Sequence, residues 1–106
     1  MVNEDFMLIH FTNESFTNCS LYTEYTKVKD RFINVCRSII SRCNLQDTEY
    51  GFIKSHNSLG LDITDYGVSA NRKEFRGVVF IINITVEQLT EIENDVKCIL
   101  KNSTTR

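Results

Sequence analysis

Residues 59–67, LGLDITDYG, hold two carboxylates, Asp62 and Asp65, inside an otherwise apolar run that closes on a glycine. Read as a helix, the segment sets both acids on one face, where they suit an acid/base pair or part of a metal site; read as a strand, it splays them. The β-branched Ile63 and Thr64, with Gly60 and Gly67 at the ends, favour extended backbone. Leu61, Ile63 and Asp65 then point one way and Asp62, Thr64 and Tyr66 the other. Metal-binding oxygens must converge on one point, which acids on opposite faces cannot do without help from elsewhere. The segment is therefore expected to be an edge strand guarded by its charges, or an acidic contact surface.

Working outward, residues 50–55 (YGFIKS) form the strand before it, and residues 56–60 (HNSLG) carry the Asn, Ser and Gly of a reverse turn. A longer polar turn, residues 67–77, leads to VVFIINI at 78–84, whose unbroken β-branched character predicts the most buried strand of the sheet. FMLIHF at 6–11 predicts an inner strand, with His10 on the face of Phe6 and Leu8. Val28, Phe32, Val35, Cys36, Ile39, Ile40 and Cys43 gather on one helical stripe, and Asn44 stands where a left-handed cap would end that helix. Leu21, Tyr25, Val28 and Phe32 continue the helical spacing backwards, so the helix is allowed to begin as early as Ser20, with a loop before it.

A second helix is announced by Thr85 and Gln88, the two ends of a capping box, with Ile84 and Leu89 placed for a hydrophobic staple. Leu89, Ile92, Val96, Ile99 and Leu100 form its apolar stripe, and residues 101–106 read as a frayed tail. The predicted fold is an α+β two-layer sandwich in the order β-α-β-β-β-α, with a mainly antiparallel sheet and two helices packed on one face. The first and last strands are apolar on both sides. Either residues 12–26 or a partner covers the second face, and an uncovered apolar face is an interaction surface.

The chain has 106 residues, 42% of them hydrophobic and 25% charged, which suits one globular domain over residues 1–106. A net charge of −2 gives no overall attraction to nucleic acid or anionic membrane. Glu4 and Asp5 precede a short apolar run, the wrong charge for a secretory leader and too few residues for a membrane span, so a cytoplasmic protein is expected. Cys19, Cys36, Cys43 and Cys98 contain no C-x-x-C pair and read as small hydrophobes.

No cofactor or metal site is called for. Gly51, Gly60, Gly67 and Gly77 are too widely spaced for a phosphate-binding loop. A small enzyme would need a Cys or Ser near one of the two histidines, His10 and His56; Cys19 with His56 is one such pair, and nothing in the sequence positions them together. The leading expectation is a small non-catalytic protein that binds and inhibits or neutralises another macromolecule, in the manner of an immunity protein or a phage inhibitor. Its protein-binding residues would be Asp47, Glu49, Tyr50, Asp62, Asp65 and Tyr66, acids beside amphipathic aromatic anchors. The alternative is nucleic-acid binding through Lys27, Arg31, Arg37 and Arg42 on the first helix, joined by Arg72, Lys73 and Arg76. Homodimerisation through an uncovered strand is compatible with each reading.

Overall fold

A computed structural model describes residues 5–13, 15–67 and 73–104. The elements are β1 (Phe6–Thr12), β2 (Ser15–Tyr22), α1 (Tyr25–Ser41), a 3₁₀ turn (Leu45–Asp47), β3 (Thr48–Lys54), β4 (Ser58–Asp65), β5 (Phe75–Ile82) and α2 (Val86–Thr104). The strands form one sheet in the order β2-β1-β5-β4-β3, antiparallel at each junction. Both helices pack on one side of it, as the α+β two-layer reading expects.

The core lies between helices and sheet. Leu8, Leu59, Leu61, Ile63, Val79 and Ile81 point from the strands into it, against Val28, Phe32, Cys36 and Ile39 of α1 and Ile92, Val96 and Leu100 of α2. The apolar stripes read from helical spacing are the buried ones. Burial pushes the Cys36 thiol pKa well up, so it stays neutral as a hydrophobe. β5 is the central strand and β1 an inner one, as their apolar character implies.

α1 approaches β5 closely at Gly77, where a Cβ would stand 2.8 Å from Cγ2 of Ile39. α2 is tied to β3 by Glu93, which accepts from Nζ of Lys54 at 3.1 Å and faces Lys97 at 3.4 Å. Burial works against the Glu93 carboxylate, but these two ammonium groups outweigh it and hold its pKa below the ordinary value. The capping box forms as read: Gln88 N–H donates to Thr85 Oγ1 at 3.1 Å, and Thr85 N–H donates to Gln88 Oε1 at 2.9 Å. Thr85→Ala is expected to cost about 1 kcal/mol in chemical unfolding, the usual loss when such a cap is removed.

Several expectations are corrected. Residues 15–22 are a strand paired with β1, so α1 starts at Tyr25 and not at Ser20, and the order gains a strand. Asn13, at φ 48, turns the chain between β1 and β2. β4 is an inner strand, flanked by β3 and β5, so its charges guard no edge. Asn44 has φ −91 and does not cap α1 in the left-handed region; its side chain accepts from Gln46 N–H and starts the 3₁₀ turn. α2 continues through residues 101–104, which the sequence assigns to a tail.

Candidate interaction face

Because both helices lie on one side, no helix or strand among the described residues covers the other side of the sheet, and the strand registers fix what this open face presents. One row runs Ser58, Ile82, Met7, Leu21 from β4 to β2. The next runs Ile53, Gly60, Phe80, Ile9, Cys19, and the third runs Gly51, Asp62, Val78, Phe11. The fourth holds Glu49, Thr64 and Arg76, with Asn13 hydrogen-bonded to the Arg76 backbone. The face is thus graded from apolar rows to a polar end.

The apolar rows are wet. Leu21 is 62% exposed at the β2 edge and Ile53 is 47% exposed on β3, while Met7, Ile9, Phe11, Val78, Phe80 and Ile82 are half-buried. Gly60 explains how Phe80 lies. A Cβ at Gly60 would collide with Cε1 and Cδ1 at the edge of the Phe80 ring, so the ring lies over β4 and occupies the place of the missing side chain. Beside it, Phe11, Ile53, Val78 and Phe80, with Asn13 and Arg76, enclose a hollow of about 280 Å³.

At the polar end a shallow hollow of about 610 Å³ is lined by Glu49, Asp62, Thr64, Tyr66, Glu74, Arg76 and Asn13. Arg76 donates to both oxygens of Asp62, at 3.1 Å from Nε and 2.8 Å from Nη2. The Tyr66 hydroxyl donates to Glu49 Oε2 at 3.3 Å, and the Glu49 charge raises the phenol's pKa above its ordinary value. Glu49, Asp62 and Tyr66 of the acidic and aromatic set are therefore gathered in one place.

The rest of that set is elsewhere. Asp65 is fully buried: its carboxylate accepts from Asn44 N–H at 3.0 Å and Gly67 N–H at 2.8 Å, so it is a structural tie and not an exposed contact residue. Tyr50 points to the helix side, beside Phe52, Lys97, Leu100 and Lys101. Asp47 closes the 3₁₀ turn, and its side chain lies outside what is described.

The basic set is divided among several surfaces. Lys27 pairs with Glu24 at 2.9 Å at the start of α1, and Arg37 lines a groove between α1 and α2. Arg42 stacks on Phe75 with its guanidinium carbon 4.2 Å from the ring centre. Burial first, then the charges of Arg31 and Arg42, lower the His10 pKa on the helix side of β1. Arg76 is on the open face, Lys73 is exposed just before β5, and Arg72 lies outside the described residues. Cys19 is on β2, whereas His56 is in the turn between β3 and β4 at the opposite side of the sheet.

Among the described residues no three His, Cys, Asp or Glu side chains gather to hold a metal ion, and no helix is long and apolar enough to cross a membrane. Comparison of the chain with protein-family models, with curated proteins and with solved structures finds no match.

Proposed function

We propose that this chain is a non-catalytic binding domain that acts by occupying a protein surface with the open face of its sheet. The supporting observation is the set of apolar rows, which runs from Leu21 on one edge strand to Ile53 on the other with neither of the described helices over it. Apolar side chains that adjoin in rows on one face and are bordered by polar residues mark interaction sites, where singly scattered ones do not. The rows supply area to bury, and Glu49, Asp62, Tyr66 and Arg76 supply the polar rim that orients a partner. Such a domain inhibits or neutralises its partner when the surface it covers is one the partner needs. The division of the basic residues among separate surfaces gives nucleic-acid binding no comparable support.

Ile53 and Tyr50 allow a matched test, since they are 47% and 45% exposed on opposite sides of β3. The immobilised chain is expected to retain a protein in stoichiometric amount from an extract of its own cells or from added copies of itself. Ile53→Lys is expected to abolish that retention and Tyr50→Lys to leave it intact. Equal retention by the two variants, or no stoichiometric protein at all, overturns the reading.

A further inference from the structure

We infer that the occupant of the open face is a second copy of this chain, two sheets meeting face to face around a two-fold axis. The inference rests on the reading of that face as an interaction surface and names its partner. Width argues first. An occupant covering both Leu21 on β2 and Ile53 on β3 spans four strand spacings, roughly 19 Å. A helix laid along the strands is about 10–12 Å across with its side chains and leaves one of the two in water. A sheet covers the full width, stacking about 10 Å away with strands within about 30° of the strands beneath.

Area and charge agree. Five strands of seven or eight residues project to roughly 500 Å². Side-chain relief increases that figure, which puts it on the scale of the ~800 Å² that each partner brings to a standard interface. The apolar rows carry one acid, Asp62, and Arg76 neutralises it with two hydrogen bonds within the same copy. Copies bearing a net charge of −2 repel one another weakly. What the face seeks is therefore a broad, flat, apolar and uncharged surface with the twist of a five-stranded sheet, and the chain itself displays one. A two-fold contact offers each hollow between Phe11, Ile53, Val78 and Phe80 to the facing copy, and leaves the row of Glu49, Thr64 and Arg76 at the margin as a rim.

Sedimentation equilibrium of the full chain across a dilution series tests this. The expected mass is twice the 12.3 kDa of one chain, dissociating on dilution. Leu21→Lys and Ile53→Lys are each expected to weaken association by about a hundredfold or more, because an ammonium would be buried there without a partner. Tyr50→Lys should leave it unchanged. Both positions on the face are largely exposed in one copy, so unaltered thermal unfolding at high dilution shows that the variants fold. A second readout needs no substitution: Cys19 on the open face should alkylate more slowly as concentration rises, while exposed Cys98 on α2 should not.

A native chain of single-chain mass, Lys variants that still pair, or a Cys19 rate independent of concentration overturns the dimer. A monomer that nonetheless holds another protein through Ile53 overturns self-pairing and leaves the binding face standing. A monomer with no Ile53-dependent partner overturns both.

Discussion

Replacing Asp65 with alanine is expected to lower the free energy of unfolding by about 3–5 kcal/mol. The carboxylate sits at the end of β4 with no exposure to water, and it holds two backbone N–H groups that belong to different connections. Asn44 follows α1, where the chain leaves the helix, and Gly67, at φ 69, follows β4 as the chain turns away from the sheet. Alanine takes the acceptor away from the buried Gly67 donor and the half-buried Asn44 donor while opening a small void, and an unmatched buried donor costs about 1–3 kcal/mol. Asparagine is the informative comparison. It keeps the volume and one accepting oxygen but sets an amide NH₂ against the other N–H, so about half the loss should remain. Urea unfolding of the three proteins measures this, with an unchanged slope showing that native and unfolded states are otherwise alike. If Asp65→Ala unfolds at the native midpoint, water replaces the carboxylate and the tie contributes little.

Asp65 also shows how far the sequence could be read. Extended backbone over residues 61–65 was legible from β-branching and flanking glycines, and so was the separation of Asp62 from Asp65 onto opposite faces; Ser58, Leu59 and Gly60, which read as part of a reverse turn, already belong to β4. Which face was buried was not legible, because alternation fixes relative direction and leaves the choice of sides to the whole sheet. Once β4 lies inside the sheet with Leu61 and Ile63 against the helices, Asp65 must share their burial. Its two N–H partners come from residues 21 positions before it and two after it, a meeting that no local pattern announces.

β2 was missed for a different reason. Leu21, Tyr25, Val28 and Phe32 fall at helical intervals by coincidence across a strand and the helix that follows it. The alternation within β2 is faint because two of its helix-side residues, Asn18 and Ser20, lie at the edge and need not be apolar, leaving Tyr22 alone among its described residues to pack against the core from that side. Its turn through Asn13 also lacks the Asn-Gly pair that marks the commonest two-residue hairpin. The open face, by contrast, was legible in outline. Residues 6–11 and 78–84 are bulky on both parities, more than one layer of helices consumes. Which residues form the rows depends on the pairing of β1 with β5, separated by most of the chain.

That one face is closed and the other open depends on how tightly α1 is seated, and Gly77 measures this. Gly77→Val is expected to cost about 2–3 kcal/mol, because the new Cβ would lie 2.8 Å from Cγ2 of Ile39 and 3.1 Å from its Cγ1, with two further methyls behind it. Ile39 is nearly fully buried, so Ile39→Ala by itself should cost about 2–5 kcal/mol through lost burial and the cavity left behind. Combined, the two should cost at least about 1 kcal/mol less than their sum, since the valine methyls occupy the space that the isoleucine vacates. Denaturant unfolding of the four members of the cycle gives the coupling directly. Strict additivity would mean that α1 does not rest on β5 at this point. The helix would then be free to shift across the sheet, and an α1 seated elsewhere would leave different rows of side chains without cover.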